Sequence, residues 1–258
     1  MNTAKAMAAA LALALALAAS AALGGDFKVV KERPADFVEA AKVAPRLLLD
    51  MRYYTDHNFV GARVRGYLAP KCLLTKKAAL ALAEVQKELL AFGHSLKVYD
   101  CYRPQRAVDH FVDWAKDVND TAAKQEFYPT LDKKNLFKDG YIAYHSSHTR
   151  GSTVDLTIVA LPAAREETYL PNSKPRPCYL PGPLRFRDNS LDMGTAFDCF
   201  HTLSHTAASE IAAPGRVNRL LLKALMEKHG FVNYDKEWWH FTLKDEPYPE
   251  TFFDFPVK

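Results

Sequence analysis

The stretch LTKKAALALAEVQKELLAFGHSLKVYDCY (Leu74–Tyr102) changes its period two-thirds of the way along. From Leu74 to Phe92 apolar residues recur at helical spacing, with Thr75 placed as N-cap and Gly93 as stop, which predicts a helix. From Ser95 to Tyr102 apolar and polar residues alternate, which predicts a strand. Pro104 then suits the first turn of a second helix, PQRAVDHFVDWAKDV, and leaves Arg103 at a strand-to-helix corner. Upstream, Leu47-Leu48-Leu49-Asp50-Met51 predicts an early strand; downstream, Val154–Val159 predicts a buried one. A further helix is expected over Arg216–His229, stopped by Gly230, and FVNYDKEWWHFTLKD after it predicts a turn and a strand. Strands and helices interleave without a regular βαβ alternation. The expected fold is therefore α+β, a single domain with a central, largely antiparallel sheet flanked by helices. Pro162, Pro171, Pro175, Pro177, Pro181 and Pro183 forbid a regular element, so about 161–191 reads as an ordered insertion or lid.

The 258 residues, 48% hydrophobic and 25% charged, suffice for one sizeable core. Net charge is only +4 and no Lys/Arg block occurs, which argues against a nucleic-acid partner. Residues 1–25, MNTAKAMAAALALALALAASAALGG, carry one lysine, an uncharged Ala/Leu run, then small residues around Ala19-Ser20-Ala21-Ala22. This is the pattern of a signal peptide over residues 1–22, cleaved near Ala21 or Ala22, with a domain over residues 23–258. A membrane anchor is the competing reading, weakened by the short run of small residues and the lack of a stop-transfer cluster. The expected location is periplasmic or secreted, without stable membrane insertion after cleavage.

Export changes how Cys72, Cys101, Cys178 and Cys199 read, because four cysteines in an oxidising compartment permit two disulfides in three connectivities. The favoured pairing is Cys72 with Cys101, tying a helix start to a strand end, and Cys178 with Cys199, closing the proline-rich loop. Four buried thiols are the alternative. No C-x-x-C pair is present, so a cysteine metal site is not expected.

The chemistry gathers in YHSSHTRGSTVDLTI (Tyr144–Ile158) and Glu237-Trp238-Trp239-His240. Asp155 lies inside an apolar strand, where an unpaired charge costs several kcal/mol. A salt bridge to an arginine would answer that cost. So would a metal: His148, Asp155 and His240 supply two nitrogens and one oxygen, a set suited to one Zn²⁺ with a fourth position left for water. Glu237, three residues before His240, is then available as a general base that does not ligate the ion. Gly151 is read as the turn between His148 and Asp155.

SSHTRGSTVDLTI, YDCYRPQRAVDHF, LDMGTAFD and EWWHFTLKDEPYPETFFDFPVK closely resemble blocks of the zinc D-alanyl-D-alanine dipeptidases of the VanX type, in order from about Leu48 to the last residue. The resemblance implies that His148, Asp155 and His240 hold zinc, that Glu237 is the catalytic base, and that Arg103 stabilises charge developing on the scissile carbonyl oxygen. It further implies that Asp198 receives the substrate's amino terminus and that Ser146, Tyr53 and Tyr67 line the substrate pocket. The expected activity is hydrolysis of D-Ala-D-Ala in cell-wall turnover, the substrate being a small dipeptide. Two other readings remain: a zinc D,D- or L,D-carboxypeptidase acting on longer wall peptides, and a non-catalytic wall-peptide binding module. His145 and His205 are expected near the site, while His57, His94, His110, His201 and His229 are expected at the surface or at caps. Phe252, Phe253 and Phe255 are expected to pack the core.

Overall fold

In the computed structural model, residues 28–171 and 173–258 are described; the expected signal segment lies outside the described residues. The strands are β1 (Lys28–Val30), β2 (Phe37–Glu39), β3 (Leu48–Leu49), β4 (Leu73–Thr75), β5 (His94–Asp100), β6 (Thr153–Ala160), β7 (Phe231–Asn233), β8 (His240–Leu243) and β9 (Thr251–Phe253). The helices are α1 (Ala40–Val43), α2 (Lys76–Ala91), α3 (Gln105–Lys116), α4 (Lys124–Phe127) and α5 (Ala213–Lys228). Among the described residues no helix is long and apolar enough to cross a membrane.

The central sheet runs β3-β5-β6-β8-β7. It is mixed, which corrects the expectation of a largely antiparallel sheet: β5, β6, β8 and β7 pair antiparallel, but β3 lies parallel to β5. The physical reason is the connection, since the chain leaving β3 returns through α2 and such a crossover re-enters in the same direction. Two small pairs, β1 with β9 and β2 with β4, lie outside this sheet.

The Leu74–Tyr102 stretch folds as its two periods require. The Thr75 side chain accepts from the Ala78 amide, and Gly93 closes α2 with φ of +70°. The helix begins at Lys76, directly after the expected cap, and Leu74 and Thr75 ahead of it also form β4 by pairing with Val38 and Phe37. α2 packs against β5, burying Ala78, Leu82, Val85 and Leu89. β6 is buried on both faces, with Val154, Leu156 and Ile158 alternating with Thr153, Asp155 and Thr157. Asp155 thus sits mid-sheet, opposite Asp100 on β5 and His240 on β8.

Both tryptophans before His240 are 1% exposed. Burying each contributes on the order of 4–6 kcal/mol as an upper estimate, enough to anchor the turn that carries Glu237. Phe252, Phe253 and Phe255 are buried as expected. The proline-rich insertion contains, among its described residues, no regular element beyond a single helical turn at Gly182–Leu184.

Candidate active site

His148 stands on a short helical turn, Ser147–Arg150, that ends at Gly151 in the left-handed region with φ of +84°. A Cβ at Gly151 would lie 2.2 Å from the Phe37 ring, so both conformation and space demand glycine. The turn aims His148 at β6 and β8. There His148 Nε2, Asp155 Oδ1 and His240 Nδ1 form a near-equilateral triangle, with separations of 3.2 Å, 3.1 Å and 3.2 Å.

The remaining ring nitrogens are held elsewhere. His148 Nδ1 donates to the Cys101 carbonyl at 2.7 Å, leaving Nε2 with its lone pair facing the triangle. His240 Nε2 lies 3.2 Å from Ser147 Oγ, which leaves Nδ1 as the inward nitrogen. Asp155 Oδ1 is buried and receives no hydrogen bond of proper geometry. Such an atom is costly unless a cation meets it. A tetrahedral zinc ion, with donors at about 2.0–2.2 Å, sets neighbouring donors a little over 3 Å apart, as here. The residues therefore fit a metal ion.

Burial opposes ionisation of Asp155, but the His148 and His240 imidazoles outweigh it and hold the carboxyl below its ordinary range. Burial also pushes His148 down, favouring the neutral form a metal needs. At His240 the same burial is overcome by Asp155, which raises the imidazole.

A cavity of about 260 Å³ opens in front of the triangle. Its walls include Arg103, Ser146, Asp198, Tyr53 and Glu237, so these residues come together from five separate stretches of chain. Glu237 Oε2 is 3.5 Å from His240 Nδ1, and burial raises the carboxyl above its usual value. Arg103 stays cationic: burial disfavours the charge, but Tyr53 and Asp100 raise the guanidinium further. Its Nε donates to Asp100 Oδ2 at 2.9 Å, while its Nη2 is 3.6 Å from Asp155 Oδ2. The arginine is thus present as a neighbour of Asp155 yet leaves Oδ1 uncovered.

Asp198 is buried and takes a hydrogen bond from the Tyr53 hydroxyl at 2.8 Å. Burial, reinforced by the Asp155 charge, raises its carboxyl well above the ordinary range. Ser146 caps the His148 turn by accepting from the His148 amide at 3.3 Å, which leaves its hydroxyl proton available to the cavity. Tyr67 is not among the cavity walls; its hydroxyl donates to Asp100 Oδ1 at 2.6 Å, behind Arg103.

A profile of the D-ala-D-ala dipeptidase family matches residues 31–163 and 185–258. The chain belongs to this family. Among curated proteins it is similar to the D-alanyl-D-alanine dipeptidase of Enterococcus faecalis, 39% identical over 208 residues, covering 81% of this chain and 91% of that protein. It is 35% identical over 222 residues to that of Streptomyces coelicolor, covering 86% and 98%. The Escherichia coli protein of the same name is 29% identical over 208 residues, covering 81% and 84%. The family match passes over residues 164–184, so most of the proline-rich insertion falls outside the dipeptidase profile.

Disulfides join Cys72 to Cys101 and Cys178 to Cys199, with Cα separations of 5.2 Å and 5.4 Å. This is the favoured pairing, and each bond adjoins a cavity residue of the dipeptidase domain. Three supporting groups escape sequence reasoning: Asp100, which is fully buried between Tyr67 and Arg103, the Ser147 hydroxyl, and the Cys101 carbonyl. Asp100 takes the position of the alternation that Leu96 and Val98 fill with apolar side chains in SLKVYD, and a carboxylate in that slot was the available signal.

His145 lines the cavity against Phe252, whereas His205 does not reach the walls. His201 caps a turn through Nδ1, in keeping with expectation. His57, expected at the surface or a cap, is buried instead. Its Nε2 lies 2.8 Å from Glu126 and its ring stacks on Tyr169 of the insertion at 3.8 Å, contacts set by distant segments.

Proposed function

We propose that this protein is a zinc-dependent dipeptidase that hydrolyses D-alanyl-D-alanine to two D-alanines in cell-wall peptide turnover outside the cytoplasm. The observation that carries the reading is the His148, Asp155, His240 triangle with Asp155 Oδ1 unclaimed, opening on a cavity sized for a small peptide. The dipeptidase family and the names of its relatives support the substrate, and the amino-terminal pattern of residues 1–22 supports export.

When bound, zinc supplies a Lewis acid that polarises the scissile carbonyl and makes a water molecule acidic enough to deprotonate near neutral pH. The rest is work for this chain's side chains. Glu237 takes a proton from the attacking water at its carboxylate and returns it to the departing amine, so the raised carboxyl is matched to both transfers. Arg103, fixed by Asp100 and flanked by the Tyr53 and Phe111 rings at 5.0 Å and 5.1 Å, aims a permanent charge at the carbonyl oxygen. Asp198 receives the substrate ammonium, and arrival of that cation drives the carboxyl to its ionised form. Tyr53 orients Asp198, and Ser146 donates its hydroxyl proton to the substrate carboxylate.

Recognition of both ends makes the site a dipeptidase, since a longer or blocked peptide offers no ammonium to Asp198. Hydrolysis of D-Ala-D-Ala and of N-acetyl-D-Ala-D-Ala, compared on zinc-loaded enzyme, tests this. The free dipeptide should be cleaved in strong preference; equal cleavage of the two would favour the carboxypeptidase reading.

A further inference from the structure

Cys178 lies in the stretch that the family profile passes over, yet it grips the turn that carries Asp198 from both sides. Its carbonyl accepts from the Ala196 amide at 2.9 Å, two residues before Asp198, and its sulfur is bonded to Cys199, the residue after. Cys178 is itself moored: its amide donates to the Glu126 carbonyl at 2.9 Å, next to Phe127, whose carbonyl accepts from the Phe200 amide at 2.8 Å. On the far side, Ser204 Oγ donates to the Cys199 carbonyl at 2.7 Å. Between these holds Asp198 has φ of +55°, a left-handed conformation that a non-glycine residue keeps only where its surroundings impose it. Both cysteines are 1% exposed and neither lines the cavity, so the bond lies beneath a wall that Asp198 and Phe200, on either side of Cys199, do line.

We infer that the Cys178–Cys199 disulfide sets the position of the Asp198 carboxylate, making Cys178 and Cys199 positioning residues for the substrate's free amino terminus. The insertion is thereby a specificity element of this chain. The inference rests on the reading of Asp198 as the ammonium acceptor. The triangle and Arg103 hang on other elements, and the Glu237 turn meets this segment only to either side of the Asp198–Cys199 pair, where the Trp238 amide donates to the Ser204 carbonyl at 3.1 Å and its indole to Thr195 Oγ1 at 2.9 Å. Loosening the Asp198 turn therefore weakens ammonium binding more than it disturbs the bond-breaking groups.

The test compares zinc-loaded wild-type enzyme, Cys178→Ala/Cys199→Ala and Asp198→Asn on D-Ala-D-Ala and N-acetyl-D-Ala-D-Ala. The double variant should raise KM for the free dipeptide by about tenfold with kcat within about twofold, and should shrink the preference over the acetylated peptide by a similar factor. Asp198→Asn should move both quantities further in the same direction. Unchanged KM and preference in the double variant, beside a raised KM in Asp198→Asn, overturns the disulfide's role. An equal fall in kcat on both substrates with the preference kept overturns it too, as the mark of general loosening. If Asp198→Asn itself changes neither quantity, the reading of Asp198 fails and the inference falls with it. Should the double variant not accumulate, wild-type enzyme reduced while folded gives the same readout, with opening of this bond followed by alkylation and peptide mass. A KM that rises on opening and recovers on reoxidation supports the inference; a KM indifferent to opening overturns it.

Discussion

Two regions of the molecule bury several charged groups together, and they resolve the cost in opposite ways. Where the insertion meets the body, Asp50, Glu166 and Asp188 surround Arg52 and Lys97. Arg52 Nε donates to Asp50 at 2.7 Å, Lys97 reaches Asp188 at 3.6 Å, and the Tyr99 hydroxyl donates to Asp188. Every carboxylate there faces a permanent cation, and the cluster pins the insertion to the sheet. At the triangle, the buried carboxylate faces imidazoles instead, with Arg103 standing 3.6 Å from the outer oxygen and none of the hydrogen bonds reaching the inner one. A buried carboxylate closed by arginine and lysine is structure; one closed by two neutral-capable rings is a donor set that could hold a metal ion.

The sharpest way to break this contrast is to remove groups from the triangle's side. Glu237→Gln should lower kcat by about 10²–10⁴-fold while circular dichroism stays that of the wild type. A variant with undiminished turnover would end the general-base assignment. Chelation should abolish activity and lower the melting temperature, with zinc restoring both, because an ion that binds only the folded triangle stabilises it. The ion-pair cluster should respond to neither treatment. Arg103→Met comes next, with an expected loss of about 10²–10³-fold in kcat and a smaller change in KM, as for removal of a donor aimed at developing charge. A change confined to KM would place Arg103 in substrate binding alone.

Much of this contrast was legible in the sequence. A helix and a strand could be read from Leu74 to Tyr102 because each period is carried by several residues; the cysteine pairing was the favoured one of three connectivities, Cys72 with Cys101 tying a helix start to a strand end and Cys178 with Cys199 closing the proline-rich loop. Asp155 stood out because a carboxylate inside TVDLTIV has to be answered by something. Four of the five three-residue strands, β1, β2, β4 and β9, were not legible, since segments that short have no period and these four exist through partners far along the chain. The parallel entry of β3 was missed for the same reason: its direction depends on a crossover, not on its own two residues. The resemblance implied that Tyr67 lines the pocket, but its side chain turns to Asp100, whose other carboxylate oxygen takes the Arg103 Nε, a contact between segments 33 residues apart that no local pattern announces.

Asp100 gives a prediction of intermediate size that joins the two regions. It is buried like Asp188, yet its partners are Tyr67 and Arg103, with His148 Nδ1 3.4 Å away. Asp100→Asn keeps the shape while weakening the hold on the guanidinium, so activity should fall by about 10–100-fold, the range found when partners behind metal ligands are replaced. Most of that loss should vanish when the same change is made in the Arg103→Met background, because the two act through one another. Fully additive losses would separate Asp100 from the arginine.

The smallest expected effect tests the ion-pair side. Burial, reinforced by the Asp50 charge, raises the Glu166 carboxyl to about 7, with Lys97 and Arg52 pulling against it. A carboxyl raised in the folded state favours folding in its protonated form; its contribution is complete below its unfolded value of 4.5 and is lost as pH rises through about 7. Glu166→Gln mimics the protonated group, so wild type and variant should melt together near the acid end, with the wild type falling below the variant toward neutral pH. The Glu166 side chain is 34% exposed, so solvent screening keeps the separation to a small shift in melting temperature. A wild type that instead gains on the variant as pH rises would mean that the 3.4 Å contact with Lys97 outweighs the crowding of carboxylates, and that this third acid is a clasp for the insertion in its ionised form.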